Sequence, residues 1–227
     1  MSLTMPEELL LLMLDDRTGR LNEQAGPASN YAIAGAVLAE LALRNRIDTD
    51  ARRLFVTDRT PTGDALLDET LARIAAEPEL PARSDDPEWQ PRNSRWWIET
   101  IGRDADAIRE ALFARLVAHG ILRQEEGRFL WIFPERRYPM ISDKEEREVK
   151  ARLMGVIFED DIPEPRDSLL IGLVRAAGLL PLLLAPDTLD AAQPRIDQVA
   201  NLEELSRSLG NAVRDIFVEM ARYTPMM

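Results

Sequence analysis

Residues 169 to 185, LLIGLVRAAGLLPLLLA, are the most apolar continuous stretch and constrain the fold more than any other. The stretch is 17 residues long and broken by Arg175 and Pro181. It is too short and too interrupted to span a bilayer, so it must be buried by protein as a helix of the core. A second run, AIAGAVLAELALR from residue 32, reads as another apolar helix whose small residues permit close packing. Two such helices need a large core, and 227 residues are enough to build one as a single domain over 1–227.

The remaining chain reads as mostly helical. Thr4 and Glu7 have capping-box spacing and open a helix to about Leu14. DDRTG (15–19) is a turn, and GPASN (26–30) is a loop ending in Asn30 as a cap. Residues 46–58 read as two short strands around a turn, and TPTGD (60–64) launches an amphipathic helix with Leu66, Leu67, Leu71 and Ile74. Helices are expected at about 93–101 and 104–119, the latter stopped by Gly120, then at about 142–158, 166–180 and 201–223. Between them, ILRQEEGRFLWIF (121–133) reads as a hairpin turning near Glu126 and Gly127.

Composition narrows the chemistry. Cysteine is absent, which excludes disulfides, thiolate nucleophiles and zinc–sulfur sites. The one histidine, His119, sits where a helix macrodipole favours it, and no G-x-S-x-G context accompanies it. Asp15-Asp16, Asp85-Asp86 and Glu159-Asp160-Asp161 lack the spacing of a calcium loop and read as solvated turns and helix ends. Neither a Walker motif nor G-x-G-x-x-G occurs. The expectation is a binding protein rather than an enzyme, with no metal and no cofactor. The N-terminus has no basic n-region, so the chain is expected to be cytoplasmic.

The formal charge of −12 argues against nucleic acid as a partner. A winged-helix DNA binder is still an alternative, because a helix at 104–119 precedes a hairpin. Its Arg103, Arg109 and Arg115 are offset by Asp104, Asp106 and Glu110.

The hairpin stands out. In RFLWIFPERRYP (128–139), Phe129, Trp131 and Phe133 alternate on one face of a strand, with Leu130 and Ile132 on the other. Pro134 and Pro139 bracket Arg136, Arg137 and Tyr138 in what reads as an exposed turn. Residues 127–152 hold seven cations against five acids, a local charge of +2. Three uses are open: packing in the core, contact with a second subunit, and contact with an anionic membrane. The expectation is that the strand half is covered by protein while Glu135 to Tyr138 projects.

Several stretches together resemble the Golgi phosphoprotein 3 family: LTMPEELLLLMLDDRTGRL (3–21), LAELALRNRI (38–47), PTGDALLDETL (61–71) and LVAHGIL (116–122). They cover most of the chain in the family's order, and the chain is identified as a bacterial member. The resemblance implies a mostly α fold, a single helical domain around a hydrophobic central helix with a projecting β-hairpin. It also implies a peripheral membrane protein that binds phosphatidylinositol 4-phosphate and the cytoplasmic tails of membrane proteins, with the hairpin in homo-oligomer or membrane contact. For a bacterial member, the expected place is the inner face of the plasma membrane. The family's pocket tryptophan falls at Ala25 here and its arginines at Ala34, Asp106 and Arg109, so only Arg109 matches. The alternative is a soluble interaction or scaffold protein of the same fold that has lost the phosphoinositide site. The expected lipid-binding residues are Arg109, Arg136 and Arg137, and the expected membrane or subunit contacts are Phe129, Trp131, Phe133 and Tyr138.

Overall fold

The structure is a computed structural model that describes residues 2–15, 18–22, 25–26, 28–50, 53–77, 92–129, 133–159, 161–202 and 204–223. At its centre lies α2 (Ala28–Leu43), apolar on nearly every side and buried along most of its length. A helix apolar all round is stable only when other elements cover it. Covering it are α1 (Met5–Leu12), α3 (Ala65–Ala76), α4 (Ser94–Gly102), α5 (Ala105–Ala118), α7 (Pro165–Ala176) and α9 (Glu204–Tyr223). Gly35 permits the close approach of α7, since a Cβ there would stand 2.7 Å from Leu173 Cδ2.

The outer elements are α6 (Lys144–Phe158), against α1 and α7, and α8 (Pro186–Ala200), against α6, α7 and α9. Two antiparallel pairs complete the described residues: β1 (Ile47–Thr49) with β2 (Leu54–Val56), and β3 (Glu125–Phe129) with β4 (Phe133–Arg137).

Several expectations needed revision. The apolar stretch from 169 is not one helix, because Gly178 turns the chain at φ +69° and Leu180–Leu182 form a single 3-10 turn. The stretch is nonetheless core: Leu169, Leu170, Ile171, Leu173, Val174 and Leu179 are buried. Asn30 is not a cap. The helix begins two residues earlier, with the Ser29 hydroxyl donating to Gly26 O at 2.7 Å, and Asn30 lies inside its first turn.

Helix α8 has no counterpart in the sequence reading. Pro194 in its middle argues against a helix, since it removes an N–H donor. The stripe Leu189, Ala192, Ile196 and Val199, packed on the core, is the signal that outweighs it.

The hairpin also turns later than its Gly127 suggested. Phe129 pairs with Phe133, so the strands part from each other beyond Gly127, which sits mid-strand opposite Glu135. Phe129 and Phe133 therefore belong to opposite strands and do not follow each other along one. Trp131, Leu130 and Ile132 lie outside the described residues.

Candidate functional site

The residues carrying the family resemblance turn out to be those that hold the elements together. In α1, the Glu7 carboxylate accepts from Thr4 N at 2.8 Å and from Thr4 Oγ1 at 2.7 Å, closing the helix start. Glu7 also faces Arg115 of α5 at 3.2 Å, and Arg115 reaches on to Asp64 at 2.8 Å. The next residue, Glu8, is buried against Arg152 of α6 at 3.2 Å and Arg166 of α7 at 3.1 Å. Burial raises the Glu8 carboxyl above its ordinary value, and the two guanidiniums oppose that rise. Arg166 also pairs with Glu40 of α2 at 3.1 Å. One run of charges thus ties α1, α2, α6 and α7.

The P-T-G-D segment works similarly. Asp64 caps α3 by accepting from Leu66 N at 3.0 Å and Leu67 N at 3.3 Å. Asp68 accepts from Thr62 Oγ1 at 2.7 Å, Thr62 N at 2.6 Å and Gly63 N at 3.2 Å, folding the loop back on its helix.

Binding groups have to be sought elsewhere, beginning with Arg109. Its guanidinium lies between Asn30 of α2 and Asp106 one turn earlier on α5, donating to both. Only 19% of the side chain is exposed. Glu110, the next residue, pairs with Arg136 of β4 at 3.3 Å, and Arg136 is 61% exposed. Asp106 has neighbour spacing on the helix surface to both Arg109, three residues on, and Glu110, four residues on. Two ion pairs, Asp106–Arg109 and Glu110–Arg136, thus lie along this part of α5.

Two of the family positions contribute nothing polar there. Ala25 and Ala34 are buried, Ala34 completely. At the third, Asp106 is an acid engaged with Arg109.

Arg137 is not part of this surface. It follows Arg136 in a strand, where successive side chains leave on opposite faces. It is half-buried and has Glu125 as its Cα partner. The pair of arginines read as one exposed turn is divided between the two faces of β4.

Tyr138 overturns a further expectation. It is only 9% exposed and stacks on Phe113 of α5, with centroids 3.9 Å apart. Its N–H donates to Gly19 O at 2.7 Å. A phenol held in this way packs its own subunit and is withdrawn from membrane or subunit contact. Glu135 to Tyr138 form a strand and its exit rather than a projecting tip. The links missed from sequence are Asn30 to Arg109 and Glu110 to Arg136. Asp106 and Glu110 four apart around Arg109 were the available hint.

On α5, Arg109 is paired with Asp106, and Arg115 with Glu7 and Asp64. No group of His, Cys, Asp and Glu among the described residues is arranged to hold a metal ion.

Comparison with known sequences fits this scaffold. The family profile described as Golgi phosphoprotein 3 (GPP34) matches residues 5–220. The chain belongs to the Golgi phosphoprotein 3 family. Among curated proteins, it is similar to vacuolar protein sorting-associated protein 74 of Eremothecium gossypii, 32% identical over 177 residues, 71% of this chain and 51% of that protein. It is also similar to vacuolar protein sorting-associated protein 74 of Schizosaccharomyces pombe, 32% identical over 168 residues, 68% of this chain and 48% of that protein. It spans about half the length of these curated relatives. Among the described residues of this family member, no helix is long and apolar enough to cross a membrane.

Proposed function

We propose that the protein is a peripheral membrane-binding module that meets anionic lipid through the surface shared by Arg109 and Arg136. The observation that carries this reading is the Glu110–Arg136 pair. It joins the strand that carries Arg136 to α5, the helix of the one arginine retained from the family's headgroup site. An arginine near an anionic surface contributes about 1 kcal/mol. Two of them give weak attraction for one subunit, and assembly through the hairpin would multiply it. With Ala34 and Asp106 in place of two arginines, the contact favours anionic lipid generally, and a phosphatidylinositol 4-phosphate headgroup is one such ligand. The tails of membrane proteins are the partners that family membership suggests. The Golgi surface is the family's eponymous membrane. The inner face of the plasma membrane is its counterpart in a bacterial cell.

Flotation with neutral vesicles, with vesicles containing phosphatidylserine, and with vesicles containing phosphatidylinositol 4-phosphate tests the proposal. Both anionic preparations are expected to carry the protein upward at low salt. Arg109→Ala and Arg136→Glu should each weaken this, and Arg137→Glu should do so only if the hairpin enters the membrane edge-on. Absence of flotation at low salt, from a preparation shown to be oligomeric, overturns it.

A second reading has its own support. Arg109 is already paired with Asp106 and Asn30, as expected of a soluble interaction or scaffold protein whose headgroup site has been lost. That reading predicts no flotation with any vesicle.

A further inference from the structure

A cleft of about 110 Å³ opens where α7, the end of α8 and the first turns of α9 meet. None of its described lining residues belongs to α5 or to the hairpin. Arg175 enters from α7, and Arg207 and Arg214 enter from α9. Asn201, Ser206 and Asn211 add polar groups, and none of the described lining residues is acidic. In a chain of net charge −12, three arginines around one small cleft are a local reversal of sign.

The floor of the cleft is kept low by glycine. A Cβ at Gly172 would stand 2.7 Å from Ser206 Oγ, and one at Gly210 would stand 3.5 Å from Gly172 O. The carbonyls at the end of α8, which would repel an anion, are already covered. Ala200 O accepts from Ser206 Oγ at 2.9 Å and Asn201 O from Arg207 at 3.2 Å.

The arginines keep donors in reserve. Arg207 uses one of its five N–H groups on Asn201, and Arg175 pairs through Nε with Asp197 at 2.7 Å. Arg214 is 52% exposed, and its nearest ion-pair contact, Asp215, is 3.9 Å away, beyond hydrogen-bonding reach. The volume is well below the roughly 300 Å³ at which drug-sized pockets begin. It suits a small oxyanion, and guanidinium groups match phosphoryl oxygens in both charge and geometry.

We propose that this cleft binds a phosphoryl group, held between Arg175, Arg207 and Arg214. A soluble phosphate monoester and a lipid headgroup both present this group, and the recognition chemistry is the same.

The test uses the full chain and inorganic phosphate as the probe. Melting is followed over a phosphate titration at constant ionic strength, balanced with chloride, because a ligand of the folded state raises the melting temperature in a saturable way. Wild type should show that saturable rise. Arg207→Gln and Arg214→Gln should each weaken the apparent affinity roughly tenfold, as expected for loss of one charge-assisted bond. Arg109→Ala should leave it unchanged, which separates this site from the membrane surface proposed above. Asn211→Asp puts a negative charge on the lining without touching an arginine and should abolish the effect. A wild type indifferent to phosphate overturns the proposal, and so does a rise that persists in folded Arg207→Gln/Arg214→Gln and in Asn211→Asp. Vesicles containing phosphatidic acid then separate the sources. Recruitment lost in Arg207→Gln/Arg214→Gln upholds the site as one for lipid, and phosphate binding without such recruitment upholds it as one for a soluble monoester.

Discussion

The ring of Tyr138 lies flat on the ring of Phe113, with centroids 3.9 Å apart and planes 3° from parallel. Tyr138 directly follows the return strand of the hairpin and Phe113 belongs to α5, so this stack joins the hairpin to the helix that carries Arg109. Both rings are buried, and a buried aromatic truncated to alanine costs about 3 kcal/mol in lost burial and residual cavity. Tyr138→Ala should therefore lower the free energy of unfolding by about that amount in a urea titration. It should also speed amide exchange along β4, because the strand loses its seat on α5. Tyr138→Phe, which keeps the stack, should be much milder on both counts.

A second attachment of the same segment is made by backbone alone. Gly19 has φ +64°, and a Cβ on it would fall 2.3 Å from Pro139 N and 2.5 Å from Tyr138 C. Backbone atoms cannot turn aside as a side chain can, so the backbone at Gly19 and the hairpin exit would have to part. Gly63 offers a control: its φ is +81°, and nothing lies within 4 Å of its would-be Cβ. Gly63→Ala should cost about 1 kcal/mol, the conformational penalty alone. Gly19→Ala should cost at least twice as much, measured by denaturation of the two variants side by side.

These two attachments show where the sequence was readable. Local rules placed most helices and the β1–β2 pair, since capping residues, turn glycines and apolar spacing act within a few positions of themselves. Asp64 and Gly120 mark element ends that agree with the structure. What the sequence concealed is long-range. The aromatic alternation at 129–133 looked like one strand, but Phe129 and Phe133 pair across two. Tyr138 looked exposed because it sits among arginines and prolines, and its partner Phe113 is 25 residues away in sequence. At the candidate site, Arg109 was legible from the family resemblance. Its partner Asn30, and the Glu110–Arg136 pair, depend on how three elements meet, which no local pattern encodes.

Arg152 supplies a prediction about charge and pH. Its guanidinium serves the buried carboxylates of Glu8 and Asp167 together. Arg152→Met keeps a similar stem but leaves both acids short of a cation. Loss of one partner from a buried pair costs about 3–5 kcal/mol, and the partial exposure of Arg152 reduces this to about 2. Burial already holds the Glu8 carboxyl above its ordinary value of 4.5, and losing a cation raises it further. A folded-state value above the unfolded one means that stability is fully present below pH 4.5 and declines as pH rises through the folded value. The deficit of Arg152→Met should accordingly be larger at pH 7 than near pH 4.5, as read from urea midpoints at the two values.

Asp68 should behave in the opposite sense. The Thr62 hydroxyl, with the Thr62 and Gly63 N–H groups, holds its carboxyl below the ordinary value of 3.8. A depressed folded-state value means that the stabilisation is present above pH 3.8 and disappears as pH falls through the folded value. Asp68→Ala removes the acceptor for all three donors and frees the loop from the start of α3. It should cost about 1.5 kcal/mol at pH 7, the lower end for hydrogen bonds to a charged group. The gap between wild type and variant should narrow below pH 3.8, where the wild-type carboxylate takes up its proton. Thermal melts of both proteins across the acid range give the comparison directly. A gap that stayed constant down to pH 2 would mean that Asp68 contributes through packing rather than charge.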